Sequence, residues 1–390
     1  MHDKAGEPLD FDVIICGGGP GGSACAMGFV DSGIRVAVIE KSSFPREKVC
    51  GDGMAPYISK ALHKMSPKFK AAFDQFDASM PITHIRIVNS KGKSATQAFP
   101  EPWFVASRYN FDHFLYQQAA ALPNVSYLLE EQVTQVSVAP EAVSVQTNKG
   151  RYTAKLLIGC DGASSLVGRQ LSQYRLDPAH NYAAVRAYYE QVKDVLPDTF
   201  EFHPVPQHPS GYFWIFPSEN DRANVGFSIL SEDLQQKNLK LREVLPQIIA
   251  QTPHLNSRFK NARLIGDIKG WSIPVGYGHY PISGARYMLA GDAASVADPL
   301  TGEGIGQAIV TGRMAAFQAR QCFEANDFSA GFMKKYDKAV HQKWGIQNRR
   351  RKLLGHLIQY QWIINTIVAL LRSGAVLSKP VLWVLTKIAR

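Results

Sequence analysis

Short apolar blocks, each closed by a glycine or an acid, recur along this chain. Residues 13–16 form the first, and a glycine run follows at once. Residues 23–32 fit a helix that Gly33 ends, and residues 36–39 form a second apolar block that stops on Glu40. Blocks of four apolar residues without alternation predict strands buried on both faces, as in a parallel sheet. Residues 58–76 read as helix, residues 84–88 alternate as a strand, and a turn falls at 90–92. A further helix is predicted with Asn110 as its N-cap, then a strand at 125–129 and hairpin strands around a turn at 148–150. Residues 156–158 are another buried strand, and 182–231 hold short aromatic-rich strands. Residues 241–255 predict a helix interrupted by proline. Residues 287–290 predict a last strand, which runs through a long glycine loop into a helix. Nucleotide-binding style thus opens the chain and returns near its end. A discontinuous first domain is expected, with a mixed-sheet domain inserted in two pieces.

The first two blocks carry chemistry because of what lies between them. The glycines fall as Gly17-x-Gly19-x-x-Gly22. Gly17 permits a tight turn, Gly19 lets backbone approach a pyrophosphate, and Gly22 allows close packing of helix on strand. The helix N-terminus adds free N–H groups and partial positive charge. Glu40 stands where a carboxylate meets ribose hydroxyls, with Lys41 beside it. An acid there disfavours a 2′-phosphate, so FAD or NAD is expected rather than NADP. Two later strands also end on aspartate, at Asp161-Gly162 and at Asp292. One such turn alone is commonplace. Beyond Asp292, Gly302, Gly304 and Gly306 surround Ile305 at the start of a helix. That exposed N-terminus suits negative charge on a planar ring, with Asp292 on a ribityl hydroxyl.

Charge and cysteine content then trim the possibilities. The chain has 390 residues and a formal net charge of +10. Such a balance fits nucleic acid, an anionic membrane surface or acidic small molecules. Zinc-finger spacing and RNP-type aromatics are absent from the sequence, so nucleic acid is the least favoured. The 5 cysteines are widely spaced without a CxxC pair, which argues against a disulfide framework or a structural metal. The N-terminal stretch lacks a signal-peptide layout, and a cytoplasmic location is expected.

The order GGGPGG, CDGASSLVGR, AGDAASVADPLTGEGI resembles flavoproteins of the aromatic-hydroxylase fold. Two further stretches resemble the geranylgeranyl reductase family within it. FPREKVCG carries Pro45, Cys50 and Gly51. YFWIFP carries Tyr212, Trp214, Phe216 and Pro217, followed by NVGFS from Asn224. One departure is Asp52, where many such reductases have a second glycine after the cysteine. The resemblance implies an α/β fold: a Rossmann-like FAD-binding domain (GR2 type), an inserted mixed β-sheet substrate domain and a C-terminal helical tail. The expected divisions are 8–56, 105–175 and 276–345 for FAD, 57–104 and 176–275 for substrate, and 346–390 for the tail.

It also implies FAD as cofactor, recharged by NAD(P)H or another transient electron donor, since no second βαβ fingerprint is present in the sequence. Arg108 resembles the family's FAD-contacting arginine, and Cys50 and Gly51 are expected at the flavin. Tyr212, Trp214 and Phe216 alternate on a strand and share one face, where with Pro299 they would wall an apolar substrate. The implied activity is reduction of C=C bonds in a polyprenyl lipid. The alternative is an FAD monooxygenase or halogenase with an apolar or carrier-bound substrate. Halogenases carry Trp-x-Trp-x-Ile-Pro where this chain has Tyr212 and Phe216, which weighs against halogenation. A non-enzymatic nucleotide-binding scaffold or membrane adaptor is the third reading. For the proton, no carboxylate identifies itself; Tyr212 or water near Cys50 are the candidates. Cys50 is expected to be a wall residue rather than a covalent catalyst.

The tail raises a separate question. Residues 353–371 contain no Asp, Glu, Lys or Arg, a length near that of a membrane span. His356, Gln359, Gln361, Asn365 and Thr366 interrupt it with polarity, and Pro380 breaks the next apolar piece. Basic residues 349–352 precede it. Attachment to the inner face of a membrane through residues 349–390, packing over the substrate mouth, and a true span are the three expectations.

Overall fold

The computed structural model describes residues 9–172, 175–276 and 280–373. The apolar blocks at Val13–Cys16, Val36–Glu40 and Leu156–Gly159 lie side by side in a sheet of six strands. Its order is Ser283–Gly284, Tyr287–Leu289, Leu156–Gly159, Val13–Cys16, Val36–Glu40, Val125–Leu129. All pairs are parallel except the short edge pair at 283–288. Helices Pro20–Met27 and Ile305–Ala325 pack together on it, which explains why its central strands show no polar face.

The second sheet has eight strands in the order Arg263–Pro274, Asn181–Glu190, Arg222–Leu230, Tyr212–Ser218, Thr199–Pro204, Met80–Val88, Ser94–Val105, Gly53–Met54. It is antiparallel except where Thr199–Pro204 runs beside Met80–Val88, so it is mixed, as expected. Period-2 alternation gives it two different faces. Phe213, Ile215, Val225 and Phe227 point into a core closed by helices Leu241–Gln251 and Pro253–Phe259. Trp214, Phe216, Phe200 and Ala184 lie on the opposite face. A small third sheet comprises Val133–Val138, Val143–Thr147 and Arg151–Ala154.

Several elements differ from the pattern-based expectation, each for a local reason. The first helix is Pro20–Met27 rather than 23–32; Pro at its start removes an N–H that would be unsatisfied anyway. The helix expected over 58–76 is two, Tyr57–Met65 and Pro67–Asp74. Pro67 forces Ser66 into extended backbone. These two helices bury Ile58, Leu62, Phe69 and Phe73 in the core of the first sheet, not beside the second with which residues 57–104 were grouped. Gly53–Met54, grouped with the FAD segment, pairs instead with the second sheet. Helix Arg108–Ala120 is capped by Ser107, whose Oγ accepts from Asn110 N–H, so Asn110 lies inside it. Pro246 sits within Leu241–Gln251 without ending it; the break falls at Thr252 before Pro253.

The tail forms helix Ala330–Leu357 and helix Gln361–Ser373, bent by 100°. No single described helix is long and apolar enough to cross a membrane. The final helix presses Ile364 and Val368 against Ala95 of the second sheet. Pro380 lies outside the described residues.

Candidate functional site

Turn geometry builds the first part of the site. Gly17 has φ +97°, and a Cβ there would stand 2.4 Å from the Cys160 carbonyl oxygen. At Gly22 a Cβ would lie 1.8 Å from the Gly17 carbonyl oxygen. Both are demanded by the protein's own packing. Gly19 is different, because its Cβ would meet only Arg46 Nη2, at 3.6 Å. Glu40, at the end of its strand, accepts from Gly18 N–H at 2.8 Å and Ser42 N–H at 3.2 Å. Arg46 lies 3.7 Å from Glu40 and 3.2 Å from Asp112, and its buried Nε has no hydrogen-bond partner among the described residues. An open space before a helix N-terminus, bounded by a carboxylate and a guanidinium with one unsatisfied N–H, fits the dinucleotide half of FAD.

Other expected cofactor residues take different places. Arg108 forks onto Asp112 at 2.6 and 2.8 Å in a buried pair. Asp161 accepts from Ser165 Oγ at 2.5 Å, Leu166 N–H at 2.7 Å and Val167 N–H at 3.0 Å. Its carboxylate therefore caps helix Leu166–Leu171 rather than standing free for a cofactor; the neighbouring Gly162, at φ +79°, supplies the turn. Lys41 is exposed and lies away from the cavity wall. Asp292 is half-buried, and burial raises its pKa against the opposing pull of Lys48 and Arg108.

The Cys50 turn is held from the sheet beneath it. Asn224 donates through Nδ2 to the Cys50 carbonyl at 2.9 Å and to Asp52 Oδ2 at 2.8 Å. Trp214 Nε1 donates to Asn224 Oδ1 at 3.1 Å, Arg186 Nε to the Cys50 carbonyl at 3.2 Å, and Tyr188 OH to Asp52 at 2.6 Å. Asp52 has φ +64°, the left-handed region that favours glycine, and its anchored carboxylate holds it there. The cysteine turn and the two aromatic-strand motifs are thus one hydrogen-bonded unit. Burial raises the Cys50 thiol's pKa, with Arg108 opposing, so the thiol stays protonated near neutrality. Lys48 sits 3.4 Å from the Trp271 ring centroid, and burial with Arg108 nearby brings its pKa to about 7.

The glycine loop is the opposite wall. Asp298 Oδ1 accepts from Leu300 N–H at 2.8 Å and Thr301 N–H at 2.9 Å, while Oδ2 pairs with Arg351 of the tail helix. Tyr212 OH donates to the Thr301 carbonyl at 2.6 Å, and Tyr182 OH to that of Pro299 at 3.4 Å. Tyr212, a candidate proton source, therefore spends its proton on loop structure, and burial raises its pKa. Trp214's N–H is likewise committed. Glu303 Oε2 lies 2.6 Å from Tyr57 OH, its Oε1 accepts from Gly306 N–H at 2.6 Å, and burial pushes its pKa up to about 7.

These walls enclose a cavity of about 350 Å³. Cys50, Gly51, Gly302, Gly304 and Ile305 line one end, and Tyr212, Trp214, Phe216 and Pro299 line it with Phe99, Trp103, Phe200 and Phe202. Leu354, Ile358, Ile364, Ile367 and Leu371 of the tail complete it. Tyr57, Glu303 and Arg46 escaped the sequence reading as site residues, Asn224 entered it only as the start of a motif and Arg351 only within a basic cluster. Glu303 had a signal in its place inside the glycine loop.

The model of the FAD binding domain matches residues 10–314, and fold and cradle together define an FAD-dependent oxidoreductase. The digeranylgeranylglycerophospholipid reductase of Thermoplasma volcanium is 31% identical over 349 residues, covering 86% of this chain and 84% of that protein. The crystal structure of a geranylgeranyl bacteriochlorophyll reductase-like protein from Thermoplasma acidophilum has a TM-score of 0.80 at 26% identity, covering 93% of this chain and 91% of that one. The chain belongs to the geranylgeranyl reductase family of FAD-dependent oxidoreductases. A halogenase in complex with FAD, at 15% identity and TM-score 0.76 over 92% of this chain and 79% of that one, shares the fold.

Proposed function

We propose that this protein saturates C=C bonds in the isoprenoid chain of a polyprenyl lipid. One observation carries the reading: the cavity lined by the Cys50 turn and the glycine loop is walled mainly by aromatic and aliphatic side chains. Bound FAD, once reduced by NAD(P)H or a protein electron donor, supplies hydride. The chain does the rest. Gly19, Glu40 and Arg46 would hold the dinucleotide half. The backbone of Cys50, Gly51 and the glycine loop would approach the ring, and the N-terminus of helix Ile305–Ala325 would favour negative charge on it. Phe99, Trp103, Phe200, Phe202 and Phe216 exclude water and bind methylenes, each buried CH₂ contributing about 0.8 kcal/mol.

The tail supports a membrane-borne substrate. Leu353, Tyr360 and Trp362 are 63%, 59% and 67% exposed, on the two tail helices and the bend between them, and both helices also contribute to the cavity lining. Arg349, Arg350 and Lys352 lie beside them. In this reading the protein works at the cytoplasmic face of a membrane and draws lipid inward past the tail.

Mass spectrometry of a polyprenyl glycerolipid incubated with FAD-loaded protein and dithionite tests the proposal. Gain of a pair of hydrogens per bond supports it. Gain of oxygen or halogen when O₂ and halide are supplied, with no saturation under reducing conditions, overturns it.

A further inference from the structure

Saturating an isolated alkene needs a proton as well as a hydride, and the side chains around the Cys50 turn are poor sources of it. Tyr212, the side chain first considered, is a weak acid made weaker by burial, and so is the Cys50 thiol. Glu303 lies on the same wall, between Gly302 and Gly304, and lines the cavity.

Tyr57, Gly306 and Gln307 hydrogen-bond its carboxyl and by themselves favour the charged form, but burial and Asp292 outweigh them. Tyr57 OH stands 2.6 Å from Glu303 Oε2 and 2.8 Å from Gln307 Oε1. The phenol has one hydrogen. Both short contacts are hydrogen bonds when Tyr57 donates to Gln307 and Glu303, carrying its own proton, donates to Tyr57. The other oxygen accepts from Gly306 N–H, which fixes the carboxyl's orientation. The charged groups around it are Asp292, which disfavours a second carboxylate, and Arg351, which reaches Tyr57 and Asp298 from the tail helix. Burial is the largest influence and holds the proton on Glu303 up to about pH 7.

We propose that Glu303 is the general acid of this site and that Tyr57 returns its proton. The inference rests on the reductase reading above. As the alkene π bond breaks, one carbon takes hydride from reduced flavin, which ends oxidised. The neighbouring carbon forms its C–H bond with the proton of Glu303, whose O–H bond breaks. The carboxylate then regains a proton from water through Tyr57 OH.

The test compares wild type with E303Q, E303D and Y57F, all FAD-loaded. Gln keeps the acceptor for Gly306 N–H, so flavin content and lipid affinity should match wild type while saturation slows at least ~10²-fold. E303D should recover part of the rate, and Y57F should slow turnover with its pH profile displaced. Independently of turnover, infrared spectra across neutral pH should show a carboxyl C=O band titrating near pH 7 in wild type and missing in E303Q. Wild-type rates in E303Q, or no carboxyl lost from the titration, would overturn the acid role alone. A wild-type protein that binds FAD and leaves every lipid unsaturated would remove the reductase reading, and the acid role with it.

Discussion

Gly17→Ala would place a Cβ 2.4 Å from the Cys160 carbonyl and hold a side-chain-bearing residue at φ +97°. We expect a loss of about 1–3 kcal/mol or failure to fold, read by thermal melting. Gly19→Val meets only Arg46 at 3.6 Å, so the apoprotein should melt near wild type while bound flavin disappears from the visible spectrum. Retained flavin in Gly19→Val would refute the cradle. Cys50 follows from its burial: alkylation at neutral pH should be slow and should accelerate only above the ordinary thiol value of 9.0. Cys50→Ala should keep FAD and alter turnover. Glu303 also predicts a stability slope. Its folded pKa of about 7 lies above the ordinary 4.5, so the folded state holds the extra proton between those values. Stability should therefore fall as pH rises through that window, and E303Q should flatten the slope in urea titrations.

At the scale of elements, the site depends on two wall pieces that could move apart. The glycine loop is tied to the tail helix by Asp298–Arg351. Asp298→Ala removes a carboxylate that pairs with Arg351 and frees the Leu300 and Thr301 N–H groups. A cost of about 3–5 kcal/mol is expected, with faster hydrogen exchange confined first to residues 299–304. The final helix is attached through Ile364 and Val368. Val368→Asp should peel it from Ala95, raising KM for lipid roughly tenfold or more while flavin content holds, because the nucleotide cradle lies on the other sheet. An equal loss of flavin and lipid binding would show that the tail supports the whole fold instead.

For the whole molecule, the proposed membrane attachment rests on the net charge of +10 and the exposed Leu353, Tyr360 and Trp362. Binding to vesicles rich in anionic lipid should be strong at low salt and weaken as salt rises. Tryptophan emission should shift blue on binding, and W362A should reduce both signals. Equal binding to neutral and anionic vesicles would remove the electrostatic part of that attachment.

Some of this was readable from residues in order. Buried parallel strands show as apolar blocks, and the glycine spacing and Glu40 encode the cradle because each depends on backbone within one βαβ unit. The face shared by Tyr212, Trp214 and Phe216 follows from strand period alone. Helix ends were less legible, since Ser66 and Ser107 act through one dihedral or one capping bond that competes with equally plausible neighbours. The partners of Glu303 and of Cys50 were not legible. Tyr57 lies 246 residues from Glu303, and Asn224 lies 174 from Cys50. Hence FPREKVCG showed that a cysteine turn existed, but not that Asn224, Arg186 and Tyr188 brace it or that Asp52 replaces a glycine by anchoring its carboxylate. The tail sequence allowed a span, a surface helix or a lid; among the described residues, the 100° bend and the contact with Ala95 bring its helices onto the cavity wall. Local backbone geometry and alternation are written in neighbouring residues. Proton placement, burial and the fit of one wall against another arise only when distant segments meet, and no spacing along the chain records them.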